Sequence, residues 1–230
     1  METTSSKDRG AGSSYIAFFD LDRTLTRAIS GKELMRAAIR KGLIATSDVA
    51  HAIYLLVVYK LNLKDPVKIM NDMIFWVKGM PEKTMTDLCS EVFHRVLLPS
   101  VYDEARSEIK FHKDKNAKVV ILSSALIPLC NEIAKSLGLD DVVCSDLEVR
   151  DGYLTGCSVG QLCFGKEKMI RLSEYCEKNN KKTSDAWYYG DSISDLAALS
   201  SVGNAVCINP DRKLRKAAIE RGWKILFWNS

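Results

Sequence analysis

A few residues in this sequence have types and spacings that could do chemistry together, and each follows an apolar run or opens a helical one. Asp20 and Asp22 stand one residue apart, directly after Tyr15-Ile16-Ala17-Phe18-Phe19. Asp191 and Asp195 follow a second run, Ala186 to Tyr189, across Gly190. Ser123 and Ser124 follow a third, Lys118 to Leu122, and Lys166 begins a helical stretch behind Gly165. Carboxylates gathered at one place repel one another unless a cation holds them, and hard oxygen ligands suit Mg2+. A lysine, a serine hydroxyl and free backbone N–H groups beside such an ion make a seat for a phosphate dianion. A carboxylate is a weak nucleophile, but it can attack phosphorus once a divalent ion has neutralised the charge between them.

Each residue also has an ordinary structural reading. A D-x-D pair can be a solvated turn. Ser123 could cap the helix expected after it, and Asp195 the helix that follows Gly190. Lys168 is a rival to Lys166, with Gly165 favouring the first. Arg23 could reach a substrate or form only a surface salt bridge. His51, His94 and His112 are scattered and read as surface or cap residues, and Trp187-Tyr188-Tyr189 reads as strand core.

The elements that must position these groups alternate in type. Apolar runs at 15–19, 118–122, 142–144, 186–189, 205–208 and 224–228 read as strands buried on both faces. Helical spacing separates them, with stretches at about 100–117, 126–137, 165–178 and 211–221. This pattern predicts an α/β fold with a parallel sheet covered on both sides, whose strand ends converge on one edge. Leu147 to Gly156 reads as a hairpin, because Asp151-Gly152 favours a type I′ turn. Residues 29–98 depart from the alternation. Helices expected at 31–41 (closed by Gly42), 47–61, from Asp65-Pro66 and from Pro81 make that stretch an all-helical insertion. The predicted division is a flexible tail at 1–14, a core at 15–28 and 99–230, and a cap at 29–98.

The motifs Asp20-x-Asp22-x-Thr24-Leu25-Thr26, Ser123, Lys166 and Gly190-Asp191-Ser192-x-x-Asp195 occur in the order of the four motifs of the haloacid dehalogenase superfamily. From about residue 15 to 228 the chain resembles its phosphoserine-phosphatase-like branch, subfamily IB. The resemblance implies a Rossmann-like core and a Mg2+-dependent phosphomonoester phosphatase. It implies Asp20 as nucleophile through an aspartyl-phosphate, and Asp22 as general acid and then base. Ser123, Ser124 and Lys166 would bind the phosphoryl group. Asp20, the Asp22 carbonyl, Asp191 and Asp195 (directly or through water) would ligate the metal. Asp22 also separates phosphate-ester enzymes from dehalogenases, which lack it. A phosphotransferase or phosphomutase on the same core is the competing activity. The branch places a Glu nine residues after the nucleophile to hold the ammonium of phosphoserine; here that residue is Ile29. This argues against phosphoserine as substrate, and related phosphatases admit a lipid phosphate such as phosphatidylglycerophosphate.

Composition sets the remaining bounds. The 230 residues are 47% hydrophobic and 27% charged, as in ordinary globular proteins. A net charge of +4, with basic and acidic residues interspersed, does not suggest nucleic acid. Seven cysteines without a Cys-x-x-Cys pair read as free thiols in a reducing compartment, so the expected location is cytoplasmic. The most apolar stretch, 52–59, is too short for a bilayer, which takes about 20 residues. Together with 73–77 it reads as cap packing, with peripheral membrane contact as the alternative.

Overall fold

A computed structural model of the chain describes residues 13–44 and 72–229, and between them 48–51, 54, 55, 58, 65, 68 and 69. Most of the expected tail 1–14, and most of the helices expected at 47–61 and from Asp65, lie outside the described residues.

Six parallel strands form the main sheet: β1 (Ile16–Phe19), β2 (Lys118–Leu126), β3 (Asp141–Ser145), β6 (Trp187–Gly190), β7 (Asn204–Ile208) and β8 (Lys224–Leu226). Their spatial order is β3-β2-β1-β6-β7-β8. The chain builds outward from β1 on one side, through β2 and β3, then returns to add β6, β7 and β8 on the other. β1 is therefore the point where strand order reverses, and ligand crevices of open α/β sheets open there. Phe19 pairs in register with Ile121 on one side and Tyr189 on the other, so the residues after all three strands emerge side by side.

Strand alternation divides the interior into two layers. Ala17, Phe19, Val119, Ile121 and Tyr189 face one way, against helices α3 (Asp103–Asp114) and α4 (Ile127–Leu137). Ile16, Phe18, Val120, Leu122 and Tyr188 face the other, against α5 (Lys166–Lys178), α6 (Leu196–Ser201) and α7 (Arg212–Arg221). With both faces covered, β1 has no exposed residue. β4 (Leu147–Arg150) and β5 (Tyr153–Ser158) form the separate antiparallel hairpin. Its turn carries positive φ at both Asp151 and Gly152, as a type I′ turn requires.

Between β1 and β2 lie α1 (Ser30–Arg40), a 3-10 turn at Phe75–Val77 and α2 (Glu82–Val92). Gly42 follows α1 at φ +65, and Pro81 precedes α2. The two connections to this segment run side by side. Arg27 N–H donates to Ser100 O at 2.9 Å, Tyr102 N–H to Leu25 O at 3.1 Å, and Thr26 bridges Val101. The far end of the segment is joined to the hairpin. Gly79 N–H donates to Leu154 O at 2.8 Å, Leu154 N–H to Met80 O at 2.9 Å, and Glu82 N–H to Gly152 O at 3.0 Å. Gly156 makes this approach feasible, since a Cβ there would stand 3.0 Å from Lys78 Cβ.

Three boundaries differ from expectation. β2 continues through Ser123 to Leu126, with a register shift against β3 between those residues. Helix α3 starts at Asp103 because Leu98–Ser100 is a 3-10 turn and Val101 pairs with Thr26. β8 ends at Leu226 because the Asn209 side chain takes over the backbone of Trp228, accepting from its N–H at 3.0 Å and donating to its carbonyl at 3.1 Å. All seven cysteines are free, and only Cys157 is exposed. Among the described residues no helix is long and apolar enough to cross a membrane.

Candidate active site

Asp20 leaves β1 in a buried position, its N–H donating to Tyr189 O at 2.9 Å, so the sheet ladder itself fixes its backbone. On the adjacent strand Asp191 leaves β6 across Gly190, and Asp195 sits one short 3-10 turn later. One carboxylate oxygen from each of Asp20, Asp191 and Asp195 lies within 4.8 Å of the others, all three groups being buried. Such a set of hard anionic oxygens fits a small divalent cation, which would relieve their mutual repulsion. That repulsion is visible in the protonation equilibria. Burial, then Asp20 and Asp195, push Asp191 up to about 8, against the opposing pull of Arg23 and Lys168. Burial likewise raises Asp20, opposed by Lys168 and Ser123.

The loop carrying Asp191 and Asp195 is tied down at several points. Ser192 N–H donates to Asp195 Oδ2 at 3.2 Å in a capping box. Asp211 caps α7 by accepting from Leu214 N–H at 2.8 Å, and its other oxygen accepts from Ile193 N–H at 2.8 Å. Gly190 is obligatory. A Cβ there would stand 2.9 Å from the Cβ, Cγ and Oδ2 of Asp195, which its hydrogen bonds hold in place.

The lysine of the site is Lys168. Lys166, the expected residue, is exposed at the first position of α5. Gly165, at φ 60 and ψ −123, makes a turn open to glycine alone and starts the helix there. Two residues on, about 200° around the helix, Lys168 faces the sheet. Only 2% exposed, it places Nζ 3.0 Å from Asp20 Oδ1, 2.6 Å from Asp195 Oδ1 and 3.2 Å from the Tyr188 hydroxyl. Burial works against its charge, but Asp195 and Asp20 outweigh burial and hold its pKa well above the ordinary lysine value. The inward stripe Lys168, Leu172, Cys176, at i, i+4 and i+8, was the signal that could have singled it out.

Ser123 is buried at the carboxyl half of β2, and its Oγ accepts from Ala125 N–H at 3.3 Å. It is not a helix cap. α4 begins only at Ile127, with Leu126 preceding it and Pro128 in the first turn. Ser124, next along the same strand, is partly exposed. Asp22 does not join the carboxylate cluster. Its side chain is held from the segment after β1, accepting from Ser30 N–H at 2.8 Å and from Ser30 Oγ at 2.9 Å. Burial above all, and then the charge of Asp20, push it up to about 7. Arg23, at φ 60, points its Nε to within 3.6 Å of Asp191 Oδ2 with its side chain 48% exposed. Sequence reasoning missed the grip of Ser30, the tether of Asp211 and the part of Tyr188. His112, expected at the surface, is buried beneath β1 and β6 between the hydroxyls of Tyr15 and Tyr189.

Residues 17–200 match the family model described as haloacid dehalogenase-like hydrolase. A probable phosphatase of Mycobacterium tuberculosis (strain ATCC 25618 / H37Rv) is 30% identical over 213 residues, covering 91% of this chain and 74% of the relative. A protein of unknown function from Bordetella pertussis Tohama I superposes with a TM-score of 0.83 at 22% identity, over 93% of this chain and 98% of the other. A solved structure of phosphoserine phosphatase, a phospho-aspartyl intermediate analogue, superposes with a TM-score of 0.69 at 18% identity, over 93% of this chain and 92% of the other.

Proposed function

We propose that this chain, which belongs to the haloacid dehalogenase-like hydrolases, is a Mg2+-dependent phosphomonoester phosphatase working through an aspartyl-phosphate. One observation carries the reading: three buried carboxylates just beyond the ends of adjacent strands gather around a fully buried lysine. Asp20, Asp191 and the Asp22 carbonyl would hold Mg2+, with Asp195 directly or through water, and the ion when bound would supply positive charge against which a carboxylate can approach a phosphate dianion. Asp20 attacks phosphorus. The bond to the leaving oxygen breaks as Asp22 gives that oxygen its proton. Water then attacks the phosphorus of the aspartyl-phosphate, Asp22 takes a proton from it, and inorganic phosphate leaves with Asp20 restored. Ser123, Ser124 and Lys168 hold the phosphoryl oxygens and stabilise the charge that builds on them.

The segment 29–98 acts as a cap on the core formed by 15–28 and 99–230, and reads the leaving group. Ile29, 41% exposed, precedes the Ser30 that grips Asp22, so an apolar residue borders the proton donor. Phe75, in the same segment, is also exposed. These features suit a leaving group without an ammonium, a lipid phosphomonoester among them, better than phosphoserine.

A phosphate-release screen with Mg2+ across amino-acid, sugar, nucleotide and lipid phosphates tests this. Turnover should be highest on esters with apolar leaving groups, vanish with EDTA, and fall on the order of 10³-fold or more in Asp20→Asn. Full turnover by Asp20→Asn would remove the nucleophile assignment. Phosphoserine as the best substrate would remove the substrate reading, and release that needs an added acceptor would favour a phosphotransferase.

A further inference from the structure

Tyr188 is the fully buried aromatic whose hydroxyl reaches the site from beneath. Two residues before Gly190, its ring lies in the apolar layer with Leu172, Cys176, Ala198 and Leu199. A phenylalanine would fill the same volume, so packing alone does not call for the oxygen. A buried hydroxyl must be paired, however, and this one is paired to charged groups of the site. It donates to Asp195 Oδ1 at 2.7 Å and accepts from Lys168 Nζ at 3.2 Å.

The consequence lies in how Lys168 divides its attention. Its ammonium has three donors, and three oxygens stand around it: Asp195 Oδ1 at 2.6 Å, Asp20 Oδ1 at 3.0 Å and Tyr188 Oη at 3.2 Å. Asp195 Oδ1 is thus shared between an ammonium and a phenol. Charge the phenol absorbs is charge that no longer draws Lys168 back toward Asp195. We propose that Tyr188 is a positioning residue, holding Lys168 forward between Asp195 and Asp20, where a phosphoryl group bound to the nucleophile would meet it. This rests on the phosphatase reading above and on Lys168 as its phosphoryl-binding cation.

The test is Tyr188→Phe, which removes one oxygen. Affinity for orthophosphate, measured by calorimetry and as product inhibition, should weaken about 5- to 30-fold, and kcat/KM should fall by a similar factor. Tyr189→Phe is the control. It removes a buried hydroxyl, bonded to Glu108 at 2.6 Å and to His112 at 2.8 Å on the opposite sheet face, and should leave orthophosphate affinity unchanged. Tyr188→para-aminophenylalanine returns a donor to the same place. It should recover part of the lost affinity, and it keeps the test open should the Phe variant not fold. Unaltered orthophosphate affinity in Tyr188→Phe, equal losses in both Phe variants, or no recovery with the amino analogue would overturn the assignment. Lys168→Met with wild-type orthophosphate affinity and turnover would instead overturn the underlying reading of Lys168.

Discussion

At the scale of single residues, the proposed chemistry depends on Asp22 differing from Asp20 although only one residue separates them. Asp20 lies against Lys168 and Ser123, whereas Asp22 is turned toward Ser30 and feels the negative charge of its neighbour. Pushed up to about 7, Asp22 keeps its proton where an ordinary carboxyl has lost it. An acid must be protonated to act, so kcat/KM on alkyl phosphates should decline as pH rises through about 7. With para-nitrophenyl phosphate, whose leaving group needs no proton, the decline should flatten. Asp22→Asn should lose about 10²-fold more on the alkyl ester than on the nitrophenyl ester. Identical alkaline limbs for both esters, read from steady-state rates, would contradict the acid role. The acidic residues were legible because Asp20 and Asp22 stand at the end of one apolar run, and Asp191 and Asp195 come shortly after another, across Gly190. Lys168 is hard to single out because the glycine before Lys166 is a strong local signal, whereas the inward direction of Lys168 shows only when Leu172 and Cys176 are aligned with it. Tyr188 was unreadable as more than core, since nothing in a run of aromatics tells which hydroxyl meets a charge.

At the scale of elements, the candidate site is a property of how β1 and β6 end beside the carboxyl half of β2. Both faces of the sheet were legible, because buried parallel strands read as continuous apolar runs. The full length of β2 was not. Ser123, Ser124 and Ala125 look like the end of a strand, yet the backbone continues through them to Leu126 with a shifted register. That extension keeps Ser123 in the strand instead of at a helix cap. The turn after β6 depends on a missing side chain. Gly190→Ala puts a methyl group 2.9 Å from three atoms of Asp195, whose two oxygens are engaged by Lys168, Tyr188 and Ser192. Asp195 must give way and drag Lys168 with it. The variant should lose on the order of 10²-fold in kcat/KM, as misplacement near 1 Å does, and melt at a lower temperature. Near-normal kinetics would show that the loop tolerates a Cβ and that the close approach has no functional weight.

At the scale of the whole molecule, a polar seam ties the helical layer to the sheet. His112 on α3 joins the hydroxyls of Tyr15 and Tyr189 at 2.9 and 2.8 Å, and Tyr189 donates onward to Glu108. Burial, with Lys115 and Lys224 adding, pushes His112 from 6.5 down to about 4. The unfolded chain therefore takes up this proton first. The stability contributed by the neutral ring is complete above pH 6.5 and drains away as pH falls to 4, by on the order of 3 kcal/mol. Urea unfolding at pH 7 and pH 4.5 should show this loss, and His112→Gln should flatten it; an equal slope in both proteins would remove His112 as the source. Within the stretch 29–98, helices α1 and α2 were legible from their spacing, Gly42 and Pro81. The attachment of this stretch to the hairpin was not, because backbone pairing between Gly79–Glu82 and Gly152–Leu154 leaves no mark on residue type. The position of β1 has a last consequence. Ile16 is matched to Lys118, and Ala17 to Trp187, so the first strand waits for partners made much later. The carboxylates of Asp20, Asp191 and Asp195 therefore cannot meet until translation has passed Asp195 and the strands that carry them have paired.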